Sequence, residues 1–422
     1  MAVKERFFPI LKKCSLPADL IREGAKGDRA RPAFGVRREC VRMPNNPELQ
    51  VRIGCSTAET EEQAVRELHD QIAQPDMKFA LFFCSPRFDL GRLGELLKQT
   101  FPCPALGCTT AGEITTRGYQ QGGLVGASLS GTLFHAHCRV LSRLSALLPD
   151  HLQEIAASVR AERRMQACSK DNSVFGILLV DGLSMLEEKV AAWLFSAFDG
   201  VPIVGGSAGD DLRFERTGIY ADGRFLSDAA AFCLVETRLP FWTFRTHHFE
   251  PGEERLVITE ADPTRRRVME INGEPAALSY AESLGLGVED LGPAVFSKHP
   301  LMLKIGGEYY VRSIQKASED GSLTFYCAID NGLVLRVGRG VDLVGNFQSQ
   351  LSQLEQKIAK PRLILGFDCI LRRLEIQGKD LFGEMNGLLK RFPFIGFSTY
   401  GEQFNSIHVN QTLTGVVLGD GP

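Results

Sequence analysis

Three short stretches decide how this chain is read: Gly107-Cys-Thr-Thr-Ala-Gly-Glu113, Gly205-Gly-Ser-Ala-Gly-Asp210 and Gly396-Phe-Ser-Thr-Tyr-Gly-Glu402. Each follows a short apolar run (Pro104-Ala-Leu, Val201-Pro-Ile-Val and Pro393-Phe-Ile). About thirty residues upstream lies a longer apolar run: Phe79–Cys84, Phe175–Val180 and Leu363–Phe367. The distance from run to glycine is 28, 30 and 33 residues, and a helix-compatible stretch fills each interval. That is the size of a βαβ crossover, which is right-handed and places both strands parallel in one sheet. An apolar return strand follows each time: Gly123–Leu129, Ala229–Val235 and Thr412–Leu418. The fold class is α/β, with mixed sheets built from three β-α-β-turn-β units. A β-rich α+β insertion, about residues 240–350, precedes the third unit, and Asn272-Gly273 within it is a strong hairpin signal. Ala276 to Leu284 reads as a short helix.

The 42 glycines among 422 residues concentrate at these turns. A residue without Cβ permits a sharp strand exit or close backbone approach. Thr109, Ser207 and Ser398 place a hydroxyl two residues on, and Glu113, Asp210 and Glu402 close the turns with a carboxylate. These groups either brace the turn through backbone N–H groups or line a ligand mouth at the strand ends.

The net charge of −3 argues against a general nucleic-acid-coating protein. The first 42 residues carry eleven Lys/Arg against five Asp/Glu and little periodicity. Residues 1–47 therefore read as a basic, poorly ordered leader before the strand Leu49–Cys55. The eleven cysteines are scattered, with no C-x-x-C, which suits reduced buried thiols in a cytoplasmic protein. No apolar run approaches the ~18–20 residues of a membrane span, so no membrane insertion is expected. Gly205-Gly-Ser-Ala-Gly209 fits the nucleophile-elbow pattern, but the residues after it do not read as the required helix. His135 and His137 share a strand face without a third metal donor nearby. A non-enzymatic protein is the expectation.

The segments Val51–Ser56, Gly107–Ile114, Glu270–Ala276, Tyr309–Gly332, Phe367–Glu375 and Gly396–Gly419 resemble the FIST domain family, FIST N followed by FIST C. On that resemblance the domains run 48–238 and 239–422. Phe367–Glu375 and Gly396–Thr412 resemble most closely the nitric-oxide-sensing branch, the NosP type. The resemblance implies a sensory protein that binds haem b, senses nitric oxide and regulates a partner histidine kinase. Amino acids or other small molecules without haem are the alternative ligands, and a protein-interaction scaffold is a further one. Oligomeric state stays open, a homodimer included.

Haem requires an apolar slot and an axial donor, most often His. His408, in the polar run His-Val-Asn-Gln-Thr before a buried strand, and His248 are the candidate iron ligands. His247 and His248 are adjacent on an expected strand, so only one faces a given pocket. Cys369 sits near Arg372 and Arg373, which would favour its thiolate. The alternative is a buried thiol with the arginines paired to Glu375 or a turn carboxylate. The same arginines offer a fork for a ligand carboxylate. The expected cavity is thus bordered by Cys369, Arg372, Arg373, Tyr400, Glu402, His408 and Asn410, with His248 nearby.

Overall fold

The computed structural model describes residues 49–132, 134–165 and 172–421. The reading of residues 1–47 lies outside these. From residue 46 onward the chain forms one compact unit.

Its centre is three six-stranded mixed sheets built on one plan, as the α/β reading requires. In the first, Gln50–Ser56 pairs antiparallel with Leu124–Ser130, which pairs antiparallel with Met77–Cys84, which runs parallel to Ala105–Thr109. In the second, the same four places are taken by Phe134–Ser142, Ala229–Thr237, Ser173–Val180 and Ile203–Ser207. In the third they are taken by Phe241–Thr246, Leu413–Asp420, Lys360–Cys369 and Phe394–Thr399.

The repeat is therefore longer than the glycine spacing suggests. Each unit begins with an edge strand and a helix: Glu61–Ile72, Pro149–Met165 and Leu343–Lys357. The crossover helices are Leu90–Thr100, Glu187–Ala197 and, in the third unit, Ile370–Gly378 plus Phe382–Leu389. The β-rich insertion falls inside the third unit, between its edge strand and first helix. It is an eight-stranded sheet from Phe249 to Gly340 with a short helix, Ala276–Ser283. Asn272 and Gly273, at φ 55° and 83°, make the expected tight turn, and Ile271 pairs with Glu274 across it.

After each glycine turn comes a two-stranded hairpin that joins another unit's sheet. Glu113–Gln120 completes the third sheet, Ile219–Leu226 the first, and Glu402–Val409 the second. The exchange is sealed by equivalent backbone bonds: Ser398 N to Gly112 O, Thr109 N to Gly218 O and Ser207 N to Gly401 O, at 2.7, 2.9 and 2.8 Å.

The first strands are continuous apolar runs because both faces are covered. Phe79, Leu81 and Phe83 meet Phe175, Ile177 and Leu179, and Leu363, Leu365 and Phe367, in one core shared by the three sheets. The outer faces bury the helices, as where Val190 and Leu194 pack on Leu178 and Val180. No described helix is long and apolar enough to cross a membrane.

Candidate functional site

The strand ends and glycine turns are held by carboxylates. Glu113 accepts from Thr110 Oγ1 at 2.6 Å and Gly123 N at 3.0 Å. Glu402 accepts from Thr399 Oγ1, from Thr412 N at 3.2 Å and from Thr412 Oγ1 at 2.7 Å. Burial pushes the two acids up to about 7 and about 8. In the second unit this role falls to Asp181, which accepts from Thr217 Oγ1 and from Asp228 N at 2.5 Å. Asp210 does something else: it takes the N–H groups of Phe214, Glu215 and Arg216 at 2.9, 2.7 and 2.9 Å, and the Tyr400 hydroxyl. Tyr400 also accepts from Leu212 N at 2.7 Å and stacks on Phe214 at 4.8 Å. Glu402 and Tyr400 are thus braces of the turns.

The hairpins carry the contrast that locates a site. Each presents one cross-strand pair to the crossover helix over it: Ile114 with Tyr119, Tyr220 with Phe225, and Gln403 with His408. Ile114 packs with Met385 and Leu389, and Tyr220 with Phe225, Leu93 and Leu97. In the third hairpin the same place is polar, yet Gln403 and His408 are wholly buried.

Gln403 Nε2 donates to Ser207 Oγ at 2.9 Å and lies 3.2 Å from His408 Nδ1. With Nδ1 accepting, the His408 proton sits on Nε2. That nitrogen, Gln403 Oε1, both amide atoms of Asn410 and Arg312 Nε are buried and meet no protein partner. Buried polar groups are ordinarily satisfied, so such a concentration marks a place for a bound molecule or ordered water. Arg312 reaches in from the eight-stranded sheet, its Nη1 3.4 Å from His408 O. Arg266, in the turn between two strands of that sheet (Phe249–Asp262 and Arg267–Ile271), donates to Glu187 at 2.5 Å and Glu188 at 2.7 Å at the start of the crossover helix. Burial holds His408 below its ordinary value, hence neutral, with Glu188 and Glu187 opposing that effect. A Cβ on Gly401, at φ 153°, would lie 2.2 Å from His408 Cε1 and 2.9 Å from Asn410 Nδ2. Only glycine lets these side chains lie against the turn.

Arg372, Arg373 and His248 belong to another cluster, under the first unit's hairpin. The helix that opens at Ile370 turns Arg372 back onto Asp368, Nε to Oδ1 2.6 Å, and Tyr119 OH donates to Asp368 Oδ2 at 2.5 Å. Arg372 Nη1 lies 3.2 Å from His248 Nδ1, while His248 Nε2 lies 2.8 Å from Glu375, which also binds Lys379 at 2.7 Å. Arginine only donates, so His248 Nδ1 accepts and Nε2–H donates a hydrogen bond to Glu375. Neither nitrogen is free for iron in this arrangement. His247 and His248 do not share a strand; they form the bend between Phe241–Thr246 and Phe249–Asp262. Arg373 donates to Gln120 O at 2.9 Å through Nη1, and Arg372 is bound through Nε and Nη1 and keeps only its buried Nη2 without a partner. Cys369 is buried, and burial, with the Glu402 charge, pushes its thiol well up. The thiolate expected from the neighbouring arginines is therefore not favoured; Arg372 points to Asp368.

The structure thus gathers His408 and Asn410 with four groups the sequence reading passed over: Gln403, Arg312, Arg266 and the pair Glu187-Glu188. Arg312 hides in the apolar-looking run Tyr309–Ile314, and Glu187-Glu188 reads as ordinary first-turn acid. Among the described residues no three His, Cys, Asp or Glu are arranged to hold a metal ion.

The α/β scaffold thus carries a cluster of buried, partly unpartnered polar side chains under one of its three exchanged hairpins. Residues 78–274 match the FIST N domain and residues 276–405 the FIST C domain, so both FIST domains are present in this chain. FIST domains are sensory, small-ligand-binding modules of signalling proteins. An uncharacterized protein of Methanocaldococcus jannaschii is 25% identical over 256 residues, 52% of this chain and 49% of that protein. The chain spans about half the length of that relative.

Proposed function

We propose that this protein is a non-enzymatic sensor whose ligand occupies the chamber around His408, and that the ligand is a small zwitterion of the amino-acid type. The carrying observation is the set of buried, partnerless polar atoms at a position that is apolar in the other two hairpins. Arg312 supplies a fork for a carboxylate, and His408 Nε2–H and the Asn410 amide add directional bonds. Glu187 and Glu188 supply negative charge for an ammonium group. Ligand exchange requires the eight-stranded sheet, which carries Arg312 and Arg266, to shift over the hairpin. That motion would carry the signal to a partner protein, for which a histidine kinase is the proposed class.

Haem b is the second reading, favoured by one observation: His408 Nε2 has no protein partner. The lining fits it less well. Nε2 bears the proton while Nδ1 accepts from Gln403, and the surrounding groups are charged or amide rather than an apolar porphyrin slot. A ferrous-haem nitric oxide sensor would need both to change.

Thermal shift and calorimetry of the full chain against the common amino acids test the first reading. At least one should raise Tm, and R312M and N410L should abolish the rise. No shift with any of them, or unchanged binding by R312M, sinks it. Titration with hemin decides the second: a sharp Soret band that moves with nitric oxide and disappears in H408A supports haem, and a featureless spectrum rejects it.

A further inference from the structure

Cys138 and Cys233 face each other directly across the antiparallel strands Phe134–Ser142 and Ala229–Thr237. Their sulfurs are 2.7 Å apart, against about 2.05 Å for a disulfide bond. Cys233 is fully buried in the shared core, whereas Cys138, on the edge strand, is half-buried at its margin. Directly opposed residues on antiparallel strands have Cβ atoms about 4.5–5.5 Å apart, which meets the disulfide range of about 3.5–4.5 Å at its near end. Among the other described cysteines, Cys84 Sγ reaches the Cys108 carbonyl at 3.7 Å, and Cys103 lies close enough to Cys138 to feel its charge.

We propose that Cys138 and Cys233 form a reversible two-electron redox site that hydrogen peroxide oxidises to a cross-strand disulfide. The half-buried Cys138 sulfur attacks a peroxide oxygen: the S–O bond of a sulfenic acid forms, the O–O bond breaks, and the departing hydroxide takes the thiol proton and leaves as one water. The Cys233 sulfur then attacks the Cys138 sulfur, the S–S bond forms, and the sulfenic hydroxyl leaves with the Cys233 proton as a second water. The two thiols lose two hydrogens in total, and a dithiol reductant restores them. The site lies at one edge of the six-stranded sheet whose opposite edge is the His408 hairpin. It stands independently of what the chamber binds.

The full chain, reduced and freed of reductant, is treated with a small excess of hydrogen peroxide, unfolded in alkylating reagent and mapped by mass spectrometry. The expected product is a peptide pair joined through Cys138 and Cys233, two hydrogens lighter, lost on treatment with dithiothreitol and absent from C138S. In C233A, Cys138 should instead accumulate as the sulfenic acid and be captured by dimedone. Full alkylation of both cysteines after peroxide overturns the proposal. So does a bridge from Cys138 to Cys103 in place of Cys233, or equal dimedone capture at the other cysteines of C233A.

Discussion

The clefts under the first and third hairpins are built alike and filled differently. Under the first, Tyr119, Asp368, Arg372, His248, Glu375 and Lys379 form one continuous chain of bonds, in which Arg372 Nη2 alone is buried without a partner. Under the third, Gln403, His408, Asn410 and Arg312 each keep an atom with no partner. A buried polar network that is closed fixes a structure, and one left open invites a ligand. On the proposed function, the repeat separates a scaffold copy from a ligand-binding copy of the same cleft.

The sharpest way to break that contrast is to remove Arg372. R372M leaves the Asp368 carboxylate buried without its cation and should cost about 3–5 kcal/mol in chemical denaturation. Neutralising both with D368N/R372M should recover much of it. A stable R372M protein that has lost ligand binding would reverse the assignment of the two clefts. Next in size is G401A, which forces a Cβ into the His408 ring at a φ of 153°. It should lose about 1–3 kcal/mol and weaken ligand binding, whereas a distant surface glycine change does neither.

Acid should act through the open cleft as well. Burial keeps His408 neutral in the fold, so below about pH 6.5 the unfolded chain binds a proton that the folded one refuses. Stability is then present above that pH and falls as pH drops towards the lowered folded value, by at most about 1.4 kcal/mol per pH unit for this group. His248 and His247 shift the same way, again through burial. H408Q should make the acid limb of the Tm profile shallower, and an unchanged slope would show that His408 titrates normally. The smallest stability effect is the most telling. Q403I/H408F gives the third hairpin the apolar character of the other two and should change stability by less than about 1 kcal/mol while abolishing ligand binding.

Much of this architecture is written in the chain. The first strands and crossover helices are legible because a strand buried on both faces must be continuously apolar, as Phe79–Cys84 and Phe175–Val180 are. The hairpin exchange is not legible. Three-residue strands such as Glu113–Thr115 and Glu402–Phe404 carry no period, and which sheet they join is a tertiary choice. Equal spacing also misled: Asp210 follows its glycine at nearly the right distance, but the loop from Asp210 to Gly218 displaces the turn, and Asp181 takes over the carboxylate role. Cys369 with Arg372 and Arg373 shows a related failure. Proximity in sequence suggested a charge effect on the thiol, but the helix turns Arg372 the other way. His408 and Asn410 were visible as polar residues before a buried strand; Arg312, placed opposite them by an insertion, was not.

The exchanged hairpins also bear on how the chain reaches its native state. No unit can complete its own sheet, since the strand Ile203–Ser207 waits for a hairpin made some two hundred residues later and Phe394–Thr399 needs one made near the start. Such non-local pairing predicts slow, all-or-none folding of the three units together. A chain cut between the two FIST domains would leave raw strand edges on both fragments, and those edges are templates for each other before they are templates for aggregation.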